Sequence, residues 1–168
     1  VSVMHRIRPC TGLSLLELLA VLAIVSILLS AGMPNWQDMM RSQALKAAVS
    51  EWMVSLHRAR AEALRRGLAV DVLPLQAGNW NPGWVLARDA NGNRILDATE
   101  QRFQSYGPMS DAIRASISFG GKPLQFQASG RPLQTGHVLL VSGAVQRKIV
   151  LNMLGRVRVC EPGADGRC

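Results

Sequence analysis

The sequence is poor in the residue types on which catalysis and metal binding depend. Its three histidines, His5, His57 and His137, are scattered, and none has a ligand-spaced companion. It carries no nucleophile motif and no glycine-rich phosphate loop. These absences argue against an enzyme, and no cofactor or metal centre is expected. No helix-turn-helix, zinc-finger or RNA-binding signature is present either, which excludes the familiar sequence-reading modules. There is no internal repeat and no low-complexity segment. Only one apolar run is long enough to cross a bilayer, and acidic residues are scarce in the last third of the chain.

That scarcity sets the charge distribution. The formal net charge is +8. Residues 13–100 balance, with eight basic and eight acidic side chains, whereas residues 101–168 carry nine basic and three acidic. The positive field belongs to the C-terminal part. It fits an anionic partner for that region, or a solubilising bias with no partner at all.

The apolar run lies within GLSLLELLAVLAIVSILLSAGMP, Gly12 to Pro34. Leu13 to Met33 is 21 residues, about the ~20 a helix needs to span a hydrocarbon core. Glu17 sits near its start, although a charge at mid-membrane costs about 2.5–3.5 kcal/mol on insertion scales. A secretory signal would place a small-residue cut site after a shorter run, and no A-x-A follows here. The order is instead His5, Arg6 and Arg8, then Gly12, then the run. A cut after Gly12 keeps the apolar segment as the mature N-terminus. The basic residues stay cytoplasmic and the rest of the chain lies outside. A carboxylate kept in such a segment needs a charged partner. The alternative is a polar residue snorkelling from near the helix end.

These features resemble a type IV prepilin: a short basic leader, Gly12, a hydrophobic first mature residue Leu13, Glu17 fifth after the cut, and Pro34 where such helices carry a kinking proline. The chain departs from the family in having Leu13-Ser14 where Phe-Thr is usual. The resemblance implies cleavage by a prepilin peptidase and N-terminal methylation. It also implies that Glu17 pairs with the terminal amine of a neighbouring subunit, favouring assembly over remaining alone in lipid. The implied location is the inner membrane of a Gram-negative bacterium, single-pass with a periplasmic head, and then the pilus and cell surface. The implied partners are other pilins, major and minor.

Beyond Pro34 the helix continues. Leu45, Val49, Trp52, Leu56, Ala59 and Ala63 recur at spacings of three and four and form one apolar stripe. Lys46, Glu51, Arg58, Glu62, Arg65 and Arg66 lie opposite, and Gly67 is a stop signal. The helix is expected over 13–66, about 80 Å at about 1.5 Å per residue. From Leu68 the pattern becomes short strands: 68–75, 84–88 after a turn at NWNPGW (79–84), then 101–106, 115–120, 123–128, 137–142, 145–153 and 156–160. The expected organisation is a leader at 1–12, a helix at 13–66 (13–33 transmembrane, 36–66 amphipathic) and a β-rich head at 67–168. The expected fold class is α+β, a long N-terminal helix packed on an antiparallel sheet. LHRARAEALRRGLAVDV (56–72), GWVLARDANGNRILDATEQ (83–101), SGRP and NMLGRVRV resemble minor pilins of the GspH/FimT kind, and the implied architecture is the type IV pilin fold.

Two segments are candidate sites. In GRVRVC, Gly155 to Cys160, strand alternation sends Val157 and Val159 to one face and Arg156 and Arg158 to the other, with the arginines about 7 Å apart. That spacing suits successive phosphates. It equally suits an edge strand protected from sheet-to-sheet aggregation. Arg147, Lys148 and Arg167 are near in sequence, and a disulfide between Cys160 and Cys168, favoured in an exported chain, would hold the tail close. In FimT-like pilins a C-terminal GRxR element of this kind is associated with DNA capture in natural transformation. The resemblance therefore implies duplex DNA as a partner, bound without sequence preference through Gly155, Arg156 and Arg158. Trp80, Phe103 and Tyr106 are read as core or hairpin residues. The second segment, DANGNRILDATE (89–100), places Asp89, Asn91, Asn93, Asp97 and Glu100 at calcium-loop positions, but Arg94 stands where glycine is needed. It reads as a hairpin turn bent at Asn91-Gly92. The alternatives to DNA capture are a tip or priming subunit of a pilus or type II secretion pseudopilus with no DNA binding, and a calcium-dependent adhesin.

Overall fold

The computed structural model describes residues 14–120, 124–163, 166 and 168, with residues 30–35 as backbone only. The chain divides into two units, Val1–Met39 and Met40–Cys168. A single long helix, α1 (Leu15–Arg66), contributes to both.

Local sequence explains where α1 begins and ends. Ser14 Oγ accepts the Glu17 N–H at 3.2 Å, and Leu18 N–H bonds to the Ser14 carbonyl at 3.1 Å. Ser14 is thus the cap, and Glu17 sits three residues on, where the helix dipole favours an acid. At the other end Gly67 takes φ 65° and its N–H bonds to the Ala63 carbonyl at 3.0 Å. A left-handed residue there closes the helix, a conformation glycine adopts without strain.

In the first unit the described apolar side chains, Leu15 to Leu29, are exposed all round the helix, from Leu15 at 77% to Val25 at 42%. A helix apolar on every side is one that works buried, in a protein core or in lipid. Among the described residues no helix is long and apolar enough to cross a membrane. The span expected at 13–33 extends beyond them, since Leu13 and the side chains of 30–33 lie outside the described residues.

The second unit is α1 from Met40 onward on two antiparallel sheets. The strands are β1 (Val70–Gln76), β2 (Asn79–Arg88), β3 (Gln101–Tyr106), β4 (Arg114–Ser118), β5 (Leu124–Phe126), β6 (Gly136–Ser142), β7 (Val145–Leu151) and β8 (Val157–Cys160). They form sheets of order β3-β2-β1-β5 and β4-β6-β7-β8. The helical stripe is the centre of the core: Leu45, Trp52, Leu56, Ala59 and Ala63 are buried, Ala48 joins them, and Val49 is half-buried. Trp52 stacks on Trp84 with centroids 4.2 Å apart, and Trp84 stacks on Tyr106 at 5.2 Å. Trp80 and Phe103 pack against the same cluster. These rings bind helix to sheet through large buried areas and favourable ring geometry.

Two connections differ from expectation. NWNPGW is not a turn. Asn79 to Trp84 belongs to β2, and the bend is the two-residue turn Ala77-Gly78, with Gln76 opposite Asn79. Asn81 fixes this segment by donating from Nδ2 to the Ile113 carbonyl at 2.7 Å and accepting the Met109 N–H on its own carbonyl at 2.9 Å. Gly83 takes φ 122°, and a Cβ there would meet the Tyr106 carbonyl oxygen. Only a glycine lets β3 approach so closely. The segment 89–100 is also no tight Asn-Gly hairpin. It is a twelve-residue loop in which Gly92 and Arg94 both have positive φ.

Candidate nucleic-acid interface

β8 is the outermost strand of its sheet. Its register against β7 pairs Leu151 with Val157, Val150 with Arg158, Ile149 with Val159 and Lys148 with Cys160. Ile149 and Leu151 are buried in the core. Residues directly opposite share a face, so Val157 and Val159 lie on the core side and Arg158 on the outer side with Val150 and Lys148. Val157 packs against the core, while Val159 is 40% exposed at the sheet margin. Arg156 and Arg158 are both exposed.

The turn that launches β8 is closed by Asn152. Its Oδ1 accepts the N–H groups of Leu154 at 3.0 Å and Arg156 at 2.9 Å, and its own N–H bonds to the Arg156 carbonyl at 3.1 Å. Such Asx turns are what a short polar side chain offers the backbone. Gly155 follows with φ 75°, and its carbonyl accepts a hydrogen bond from Arg60 Nη1 of α1 at 3.1 Å. A Cβ at Gly155 would lie 3.0 Å from the Gly130 carbonyl oxygen and 3.2 Å from the Arg60 guanidinium. The glycine preceding the arginines is therefore demanded by backbone conformation and by close packing.

The structure separates the neighbours Arg147 and Lys148. Consecutive strand residues point to opposite faces, so only Lys148 shares the face of Arg158. Arg147 is held elsewhere: Nη2 pairs with Glu161 at 2.5 Å and Nη1 donates to the Gln146 carbonyl at 3.0 Å. Lys148 Nζ donates to the Gly166 carbonyl at 2.8 Å, tying the tail to the outer face of the sheet. Cys160 and Cys168 form a disulfide with Cα atoms 5.7 Å apart. Arg158, Val150, Cys160 and Cys168 line one small cavity, so the closed tail lies beside the second arginine. His137 stands opposite Val150 on this face. Burial, and then the charge of Lys148, push its pKa below the ordinary value of 6.5. Arg167, Gly12 and Leu13 lie outside the described residues.

The aromatic side chains do not form a stacking platform. Tyr106 is buried, and the Arg66 guanidinium lies 4.2 Å over the Phe103 ring. In the 89–100 loop the polar groups are satisfied by one another. Asp89 accepts the N–H groups of Gly92 and Arg94, Asp97 accepts both Asn91 and Asn93 Nδ2, and Glu100 accepts the N–H groups of Ala90 and Asp97. Among the described residues no group of three His, Cys, Asp or Glu side chains is placed to hold a metal ion. Arg94 takes φ 63°, the conformation a glycine would fill at that place.

Sequence reasoning missed Arg60, which reaches from the helix to the β7–β8 turn, and Glu161, which engages Arg147. Neither has a local signal. Both depend on which elements the fold brings together.

Comparisons with known proteins agree with this architecture. The family described as "Type II transport protein GspH" matches residues 48–155, and the "Prokaryotic N-terminal methylation motif" matches residues 7–33. The pilin-like protein PilA1 of Thermus thermophilus is 32% identical over 155 residues, covering 88% of this chain and 97% of the relative. Among solved structures, the type IV minor pilin FimU of Pseudomonas aeruginosa superposes with a TM-score of 0.59 at 19% identity, over 69% of this chain and 87% of that one. The minor pseudopilin EpsH from the type 2 secretion system of Vibrio cholerae superposes with a TM-score of 0.53 at 13% identity, over 70% and 97% of the two chains. At these identities the two structures testify to fold alone. Family match, motif and fold converge: this chain belongs to the GspH family of the type IV pilin superfamily, and is a minor pilin or pseudopilin of the GspH/FimT kind.

Proposed function

We propose that this minor pilin captures duplex DNA on the basic end of its head, as a step in DNA uptake. In this reading the leader is removed after Gly12, residues 13–33 anchor the chain in the inner membrane, and Glu17 pairs with the terminal amine of a neighbouring pilin during assembly. The anchor is kept because an apolar helix with no cover of its own needs lipid or other pilin helices. A prepilin peptidase and other pilins are then its protein partners.

The observation that carries the DNA reading is the exposure of Arg158 on the edge strand β8 and of Arg156 just before it, at the end of a turn hydrogen-bonded to α1. Arginine presents a planar fork of donors that suits phosphate oxygens. Positions on a paired strand and on a hydrogen-bonded turn limit the entropy lost on binding. Lys148 and the disulfide-closed tail border the pair, whereas Arg147 is engaged by Glu161 and contributes less. With no helix-turn-helix or zinc-finger signature in the sequence, binding in this reading rests on the DNA backbone and is insensitive to base sequence.

The test is a salt series on the full-length chain in neutral detergent, with duplex DNA as the probe. Each phosphate contact contributes about 0.9 to the slope of log K against log salt. Replacing Arg156 and Arg158 together by Gln is expected to lower that slope by about two and weaken binding at every salt concentration. Equal slopes for both proteins would remove the site assignment. Absence of binding by the unaltered chain would leave the priming or secretion role.

A further inference from the structure

We infer that the anion-binding surface crosses from the β7–β8 turn to the β5–β6 turn, and that Arg131 is a third phosphate contact beside Arg156 and Arg158. The inference rests on the DNA reading above and names a residue which that reading does not contain.

The two turns share a local design. Residues 127–131 form a compact turn in which Gly130 N–H bonds to the Gln127 carbonyl and Gln127 N–H bonds to the Arg131 carbonyl, each at 2.8 Å. Gly130 takes φ 72° and Gly155 takes φ 75°. Each glycine is followed at once by an exposed arginine, Arg131 and Arg156.

The glycines are also close neighbours. The position of a Cβ on Gly155 is 3.0 Å from the Gly130 carbonyl oxygen, and that carbonyl belongs to the peptide leading into Arg131. Ordinary covalent geometry then puts the Cα atoms of Arg131 and Arg156 within about 11 Å of each other. Side chains as long as arginine reach neighbouring phosphates of one strand from such positions. The far-apart sequence positions 131 and 156 thus become adjacent parts of one surface, continuous with Arg158.

Both turns are seated on the same face of α1. Arg60 donates to the Gly155 carbonyl, and a Cβ on Gly130 would lie 2.9 Å from the Leu64 side chain. Positions 60 and 64 are four apart, neighbours on one side of a helix. Arg60 is half-buried beneath the contact, so it holds the turn and adds positive potential under it. Arg60 is therefore a positioning residue, and Arg131 a contact residue.

The experiment is a salt series on the full-length chain in neutral detergent with duplex DNA, comparing the unaltered protein, Arg131→Gln, Arg156→Gln, the double variant, and Arg102→Gln as a control. Arg102 is exposed on β3, in the other sheet. Near-ultraviolet circular dichroism of the stacked tryptophans confirms that each variant is folded. Arg131→Gln is expected to lower the salt slope by about 0.9, as one lost phosphate contact should, and the double variant by about 1.8. Arg102→Gln is expected to leave the slope unchanged. An unaltered slope for Arg131→Gln, with a reduced slope for Arg156→Gln, would overturn this inference and leave the proposed function standing. Equal losses for Arg131→Gln and Arg102→Gln would overturn it too, by showing a diffuse field instead of a site. Absence of DNA binding by the unaltered chain would sink the proposed function, and this inference with it.

Discussion

The Arg60 guanidinium of the helix and the Gly155 carbonyl of the β7–β8 turn are joined by a 3.1 Å hydrogen bond across 95 positions of sequence. It is a charged fastening between α1 and the turn that leads through Arg156 into β8. A hydrogen bond from a charged donor to a partly buried carbonyl contributes about 1.5–3 kcal/mol. Arg60→Ala is expected to lower stability by about that amount, read as a reduced urea midpoint with tryptophan fluorescence as the probe. The m-value should not change, because the core is untouched. A midpoint equal to that of the unaltered chain would mean that the turn stands without its fastening.

Gly155 is constrained twice, by φ 75° and by the neighbours its Cβ would meet, whereas Gly143 has φ 58° in open space. The left-handed conformation alone costs a non-glycine residue about 1–2 kcal/mol. Gly143→Ala should therefore cost about 1 kcal/mol, and Gly155→Ala about 2–3 kcal/mol, since the Gly130 backbone and Arg60 must also shift. Paired urea melts check the order. Equal costs would show that the contact between the two turns yields freely.

Asp71 is 1% exposed, with its carboxylate accepting Gln125 Nε2 at 2.8 Å and the Asp89 N–H at 3.2 Å. Burial pushes its pKa from 3.8 up to about 6; the two hydrogen bonds oppose the rise, and the charges of Asp89 and Glu100 add to it. The folded state then binds more protons than the unfolded one between pH 4 and 6. Stability from this group is full below about pH 4 and is lost as pH rises through about 6, a change on the order of 3 kcal/mol. Glu62 works in the opposite direction, its pKa lowered by hydrogen bonds from Arg66 and Arg65, and its effect lies below its ordinary value of 4.5. Asp71→Asn isolates the buried group, since Gln125 can turn its amide to accept the new N–H. The variant is expected to be more stable than the unaltered chain at pH 7.5, and the two should converge at pH 4. A constant difference across that range would refute the shift.

Much of the fold is readable in the sequence because its signals are local. Leu45, Trp52, Leu56, Ala59 and Ala63 recur at helical spacing and are all buried in the core. The strand at 101–106 is bounded by residues that do not pair, and β3 occupies that range. NWNPGW misleads because asparagine, proline and glycine read as a turn wherever they cluster. Its strand geometry depends on Gly83 admitting the β3 backbone, a tertiary contact. The true bend, Ala77-Gly78, is only two residues long, a weaker turn signal than the cluster of asparagine, proline and glycine that follows it.

The candidate site divides along the same line. Opposite faces for Arg158 and for Val157 and Val159 follow from the period of a strand, which the sequence carries; the strand expected at 156–160 begins one residue later, so Arg156 belongs to the turn before it. The engagement of Arg147 by Glu161 does not, because it requires the register of β8 on β7 and the path of the chain beyond Cys160. The contact of Gly130 with Gly155 is also invisible locally. Gly-Arg pairs stand at both turns, 130–131 and 155–156, but a third at 166–167 keeps the sequence from singling them out.

Glu161 is itself a target for change. It is 71% exposed and holds Arg147 at 2.5 Å, so on the basic end of the head it both adds a negative charge and occupies a cation. An exposed pair of this kind contributes at most about 1 kcal/mol to folding. Glu161→Gln should therefore leave the urea midpoint nearly unchanged. Its effect on DNA binding is expected to be larger, because a released arginine and a lost carboxylate both raise the local potential. Affinity for duplex DNA should rise several-fold at low salt, and the salt slope should steepen by up to about 0.9 if Arg147 gains a phosphate. At high salt the two proteins should bind alike, since screening shortens the reach of every exposed charge to a few ångströms. Weaker binding by Glu161→Gln would mean that the ion pair orders the strand end for DNA, and that Arg147 belongs to the scaffold of the site instead of competing with it.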